Sequence, residues 1–231
     1  MSAKVVLRYF DCQARGEPLR IMLVDSGIDF VDDRVGGTFE DKKKVLQDPN
    51  RGGPFKSLPI LHWDSFMTPG CEAIASYLGH KLGYVADGSL ESKALSAALC
   101  ACGLEDIIKP SFEFLCLGGF STAKTIEEDF AACFSNLRRR IEPLEQFLGK
   151  QTFFLGDELC PGDFFVYTAC EFARKIFGEK LLEGCDQLKN FLQRMSERPH
   201  IQQYLKSGRQ SPLLCGSIRE DEVVQKTRHL L

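Results

Sequence analysis

The sequence predicts an α/β domain followed by an all-helical one in a chain of 231 residues. Three observations carry this reading. Strand and helix signals alternate over the first 82 residues. No strand signal follows Gly83, and residues 83–88 read as a linker between two unlike regions. The expected division is residues 1–82, residues 89–208, and a tail over 209–231.

Residues 5–10 are a short run of β-branched and aromatic side chains, the pattern of a buried strand. Residues 15–26 follow as a helix with Leu19, Ile21, Met22, Leu23 and Val24; Pro18 is tolerated in its first turn and Gly27 closes it. Residues 28–35 predict a second strand, 39–47 a short charged helix, and the Pro- and Gly-rich residues 48–54 a loop. Residues 59–63 and 65–68 predict a hairpin around Asp64, and a helix over 71–81 completes the unit. The order β-α-β-α-β-β-α is that of a thioredoxin-like domain, with helices on both faces of a mixed sheet. Beyond the linker, residues 89–117 and 122–149 show apolar side chains at steps of three and four, with Gly118-Gly119 between them. Shorter helices are expected over 160–175, 185–196 and 199–207. At 160, Cys160 takes the cap position, followed by Pro161 and by Asp163 three residues on. The tail carries a modest helical signal at 217–224, set against the expectation of a mobile terminus.

Composition excludes several classes. With 44% hydrophobic and 26% charged residues and a net charge of −3, the chain has an ordinary globular composition and not that of a disordered one. No stretch of roughly 20 apolar residues suits a membrane span. Residues 1–82 hold eleven basic and eleven acidic side chains, so no basic excess points to nucleic acid. Ten cysteines are too sparse for a disulfide scaffold, and the N-terminus lacks an apolar signal core. The expected compartment is therefore reducing and cytoplasmic, with most cysteines acting as small buried hydrophobes. Cys100 and Cys102 form the one close pair, far from His62, His80, His200 and His229, so no metal site is expected.

Four segments together resemble the cytosolic glutathione transferase superfamily, in its tyrosine-type classes (alpha, mu, pi and sigma) and nearest to sigma or alpha. They are Leu-Arg-Tyr-Phe-Asp-Cys-Gln-Ala-Arg-Gly-Glu over 7–17, Phe-Lys-Ser-Leu-Pro-Ile-Leu over 55–61, Ala-Ile-Ala-Ser-Tyr-Leu over 73–78, and Phe-Leu-Gly-Asp-Glu-Leu-Cys-Pro-Gly-Asp-Phe over 154–164. The likeness runs to about residue 208 and implies the glutathione transferase fold. It further implies a homodimer that adds glutathione, as co-substrate, to hydrophobic electrophiles in detoxification.

The chemistry needs a thiolate. A free thiol has a pKa of about 8.5, so only a few per cent is ionised at neutral pH. By the resemblance, Tyr9 donates a hydrogen bond to the sulfur and Arg15 assists. Leu58, before a Pro59 suited to a cis bond, offers its main chain to the cysteinyl part of glutathione. Phe55 matches an aromatic that enters the partner subunit, and Phe39 or Lys42 to Lys44, Lys43 above all, matches a tryptophan or lysine near the second helix. Phe10, Phe112 and Leu115 are expected to line the electrophile pocket, which a C-terminal helix covers in alpha-type relatives. The family's Gln/Glu-Ser pair, which holds the γ-glutamyl carboxylate at a helix N-terminus, reads Gly70-Cys71 here, followed by Glu72. A partner-subunit aspartate falls near Cys102 by spacing. These departures leave two alternatives: a protein of weak or no activity with a structural or scaffold role, or glutathione-dependent thiol redox work through Cys12. The triplets Lys42-Lys43-Lys44 and Arg138-Arg139-Arg140 otherwise read as solvated helix faces.

Overall fold

The computed structural model describes residues 4–117, 125–217 and 220–231, with the backbone alone for Phe39 and Leu117. Four strands form one sheet in the order β2-β1-β3-β4: β1 Val5–Phe10, β2 Val31–Val35, β3 Ile60–Trp63 and β4 Phe66–Pro69. β1 pairs in parallel with β2 and antiparallel with β3, and β3 closes a hairpin with β4. Between them run α1 (Glu17–Asp25) and α2 (Phe39–Gln47), and α3 (Cys71–Leu82) follows β4. This is the thioredoxin-like order.

Several boundaries shift from the sequence reading, and two of the shifts have a local cause. β2 begins at Val31, because Gly27 at φ +69° and an Ile28 N–H donating to Ser26 Oγ (3.3 Å) hold the chain in the turn after α1. β4 begins at Phe66, because Asp64 at φ +54° and Ser65 form the turn that sets Trp63 opposite Phe66. The α2 limits follow from its cap: Thr38 Oγ1 accepts from the Asp41 N–H, and Asp41 returns the bond to the Thr38 N–H.

The remainder is helical among the described residues. α4 (Leu90–Ala101) passes into a π-helical segment, Cys102–Ile108, and on into α5 (Lys109–Leu117). α6 (Ile126–Leu148) starts from a Thr125–Glu128 capping box. Gly118, Gly119 and the first residues expected in that helix, from Thr122, lie outside the described residues. α7 (Pro161–Phe177) is almost wholly buried and packs against α1, α4 and the π segment, joining the sheet unit to the helical one. Its start is held by Asp163, which accepts from the Cys160 and Phe154 N–H groups (2.8 and 2.9 Å). α8 (Asp186–Glu197), α9 (Pro199–Lys206) and α10 (Glu220–Thr227) complete the chain. No helix among the described residues is long and apolar enough to cross a membrane.

The tail is not a loose end. α10 buries Val223 and Thr227 against α5 and α6, and Leu231 lies beside Gly178.

Candidate functional site

Strand alternation sends Val5, Leu7 and Tyr9 inward at β1 and leaves Val6, Arg8 and Phe10 half-buried on the other face. Tyr9 is 5% exposed. Its ring lies so close to the main chain that a Cβ at Gly16 would stand 2.3 Å from Tyr9 Cδ1. The Arg20 guanidinium sits 5.8 Å from the ring centroid. The Arg15 backbone N–H and guanidinium favour the ionised phenol. Burial, and then the neighbouring Cys12 and Cys71 sulfurs, push the phenol's pKa upward. The hydroxyl therefore keeps its proton across the physiological range, as a donor toward an anion requires.

Tyr9 borders a cavity of about 240 Å³ whose other walls are Ala14, Arg15, Ile108, Lys109, Phe112 and Glu113. One wall is the turn after β1; the other is the end of the π segment and the start of α5. A larger cleft of about 490 Å³ lies between α1, α7 and α8. Its walls intermix Glu17, Glu171 and Glu179 with Arg174, Lys175 and Lys189; it also holds a buried phenol, Tyr167, raised by burial and then by Glu171, so what sets Tyr9 apart is its place at the end of β1 beside Arg15.

The expected site residues divide. Tyr9, Arg15 and Phe112 meet at the smaller cavity. Leu115 does not line it: two turns beyond Ile108, where α6 and α10 close over α5, it is fully buried in the core. Phe10 is not on that wall either; it faces α2, where Lys42 Nζ lies 5.7 Å from its ring. Lys42 thus turns toward β1, whereas Lys43 is exposed. Phe39 falls outside the described side chains. Phe55 is 74% exposed on the loop before β3.

The Leu58–Pro59 peptide is cis. The Pro59 carbonyl accepts from the Gly70 N–H (2.9 Å), which brings this loop to the start of α3, and among the described residues the Leu58 N–H and C=O have no hydrogen-bond partner. Gly70 has φ +89° with open space around it, so glycine relieves backbone strain here rather than a steric clash. Cys71 turns inward: its Sγ donates to the Arg15 carbonyl (3.3 Å), and burial pushes the thiol up to about 12. The start of α3 therefore presents backbone N–H groups and the exposed carboxylate of Glu72.

Arg15 and Cys71 are thus linked through the Arg15 main chain, while the Arg15 guanidinium pairs with Glu105 at 2.7 Å. Lys109 approaches the same carboxylate at 3.4 Å. Cys102 opens the π segment, half-buried, its thiol raised to about 11 by burial and then by Asp106. Counting along a regular helix fails here, since i→i+5 bonding shifts the register of every residue beyond it, and Glu105 and Asp106 lie inside that turn. Cys12 is buried, and burial lifts its thiol to about 12 against the charges of Arg20 and Lys42.

One part of the surroundings was missed by the sequence reading. Arg20, fully buried on α1, donates to the Cys12 and Phe10 carbonyls (2.7 and 3.1 Å) and to Glu17 and Asp32. Glu17 also accepts from Tyr204 and Gln210 (3.2 and 2.9 Å). The Leu213 and Leu214 carbonyls accept from the Gln13 and Ala14 N–H groups (2.9 and 3.0 Å). The available signal was the charged pair Glu17 and Arg20 inside an otherwise apolar helix.

Residues 120–208 match the family model of the glutathione S-transferase C-terminal domain. The chain is 26% identical over 213 residues to a glutathione S-transferase of Tyrophagus putrescentiae, covering 90% of this chain and 92% of that one. It is 26% identical over 213 residues to glutathione S-transferase A4 of Mus musculus, covering 91% of each. A solved pi-class glutathione S-transferase of Onchocerca volvulus matches with a TM-score of 0.76 at 21% identity, covering 93% of this chain and 99% of that one.

Proposed function

We propose, on the premise that this chain belongs to the cytosolic glutathione transferase superfamily, that it joins glutathione to apolar electrophiles with Tyr9 stabilising the thiolate. The observation that carries this reading is a phenol that keeps its proton at the edge of an open-sided cavity, beside Arg15 at the end of β1. Glutathione's thiol releases its proton to solvent, and the Tyr9 hydroxyl donates to the sulfur anion better than to the neutral thiol. A two-unit fall in the thiol's pKa corresponds to roughly 2.7 kcal/mol of preferential stabilisation, within reach of a charged hydrogen bond aided by Arg15.

In this reading residues 1–82 bind glutathione and residues 89–208 supply the apolar wall. The unpartnered Leu58 main chain holds the cysteinyl unit. The α3 start takes the γ-glutamyl carboxylate on its backbone N–H groups, with Cys71 contributing through the main chain alone and Glu72 near the glutamyl amine. Lys42 and Lys43 supply positive charge on the α2 side. Phe112 is the apolar contact for the electrophile. A second copy of the chain is the proposed partner, with Phe55 at the contact, and the proposed setting is cytoplasmic. The inward turn of Cys71 favours glutathione binding weaker than a serine there would give.

The thiolate absorbance of bound glutathione, followed against pH, tests the mechanism. Wild type is expected to titrate about two units below the free thiol, and Tyr9→Phe near the free value. Identical titrations near the free value, or no saturable binding at about 10 mM glutathione, would leave the scaffold reading in its place.

A further inference from the structure

Cys116 on α5 and Cys215 in the segment before α10 have their Sγ atoms 3.9 Å apart, the range of a thiol–thiol hydrogen bond. We propose that these two cysteines are a dithiol that a low-molecular-weight disulfide oxidises reversibly, tying the C-terminal segment to α5. The pair lies outside the Tyr9 cavity, and nothing in the proposed transferase chemistry uses it.

The surroundings assign the two sulfurs different parts. Cys116 is partly exposed, whereas Cys215 is buried behind it. The two sulfurs share one hydrogen bond, and that bond together with the Ser217 hydroxyl lowers the pKa of Cys116 against the opposing effect of burial. That same bond, with burial, raises Cys215. The Glu220 carboxylate also faces the pair; it accepts from the Leu214, Cys215 and Gly216 N–H groups (2.6, 2.9 and 3.1 Å) and disfavours a second thiolate. A partly exposed thiol of lowered pKa in contact with a buried one is the arrangement of an attacking and a resolving cysteine. By contrast, burial raises the thiols of Cys12, Cys71, Cys100, Cys160 and Cys170.

Bond formation would bring the sulfurs from 3.9 Å to about 2.05 Å. The chain around Cys215 is a loop rather than a helix, so it can supply the movement. That loop is also the one whose Leu213 and Leu214 carbonyls hold Gln13 and Ala14, and Ala14 is a wall of the Tyr9 cavity.

With glutathione disulfide as oxidant the steps balance. The Cys116 thiolate attacks one sulfur, forming a mixed disulfide and expelling one glutathione thiolate. Cys215 gives its proton to that leaving thiolate and attacks the Cys116 sulfur, expelling the second. The protein loses two electrons and two protons, and one disulfide becomes two glutathione thiols.

The full chain is incubated with glutathione disulfide, its thiols are counted after denaturation, and unreduced peptides are mapped by mass spectrometry. The expected wild-type result is loss of two of the ten thiols with a Cys116–Cys215 linked peptide, restored by dithiothreitol. Cys215→Ser is expected to stop at glutathione on Cys116, and Cys116→Ser to react about tenfold more slowly or less. Tyr9→Phe is expected to link as fast as wild type, which separates this result from any failure of thiolate activation. Unchanged thiols, a persistent mixed disulfide in wild type, or equal reactivity of Cys116→Ser would each overturn the proposal. The wild-type linkage stands as a test even where a variant fails to fold.

Discussion

At Gly16 the main chain leaves no room for a methyl group, because Tyr9 Cδ1 occupies the place a Cβ would take. Gly16→Ala is therefore expected to displace the ring and destabilise the fold by about 1–3 kcal/mol, read from denaturation, while eroding the bound-thiolate signal. An alanine variant that unfolds and titrates like wild type would remove Tyr9's packing from the mechanism. The thiols beside Tyr9 yield a pH prediction. Cys12 and Cys71 are raised by burial to about 12, so at pH 8 about one molecule in ten thousand carries either thiolate. Alkylation of these two by iodoacetamide should climb about tenfold per pH unit up to that value, with Cys116 labelled well before them. Fast labelling of Cys12 at pH 8 would revive the redox alternative. The inward place of Tyr9 on β1 and the cis bond before Pro59 were legible in the sequence because their neighbours fix the segments they belong to. The inward turn of Cys71 was not, since it depends on a carbonyl 56 residues away.

The long helix over α4, the π segment and α5 shows what periodicity can and cannot disclose. Apolar steps of three and four predicted one helix over 89–117, and the chain is helical from Leu90 to Leu117. Seven residues of π geometry leave no mark in such a pattern, yet they decide that Glu105 meets Arg15. Partial burial alone would raise the Glu105 carboxyl, but the hydrogen bond and charge of Arg15, with Lys109 behind, hold it below its ordinary value. A depressed carboxyl contributes stability above its unfolded pKa of about 4.3 and loses it as pH falls through the folded value. For so exposed a pair that contribution stays within about 1 kcal/mol. Its larger effect is on charge: Glu105→Gln should free the Arg15 guanidinium and lower the pKa of bound glutathione by up to about one unit. An unchanged titration would show that Arg15 acts through its main chain alone. The tail was the least legible element, because its anchors join distant parts of the chain: Val223 and Thr227 pack on α5 and α6, and polar bonds link residues 209–214 to Gln13, Ala14, Glu17 and Arg34.

Across the molecule, five of the nine large apolar side chains left exposed among the described residues lie on neighbouring elements, the others being Val31, Phe147, Leu213 and Leu231. Phe55 and Leu90 are 74% and 79% exposed, and Phe66, Met67 and Leu95 are exposed as well. They are carried by the loop before β3, by β4 and by α4, and α3 contacts both β4 and α4. Large apolar side chains gathered on adjoining elements are the kind of surface through which proteins associate. A second copy meeting it about a two-fold axis would bury each patch against its equivalent, the usual arrangement of a closed homodimer. An aromatic ring that inserts into a pocket is the kind of contact that dominates such an interface, and its removal typically costs about 2 kcal/mol or more. Sedimentation of wild type at micromolar concentration should therefore give a dimer, and Phe55→Ser should raise the dimer dissociation constant by about thirtyfold or more without unfolding the monomer. Because Phe55 is so exposed in the single chain, its loss should barely move the denaturation midpoint measured below the dissociation constant. A wild-type chain that sediments as a monomer at tens of micromolar would sink the dimer and leave the patch to some other partner. A dimer indifferent to Phe55→Ser would move the anchor to Leu90 and Leu95 on α4.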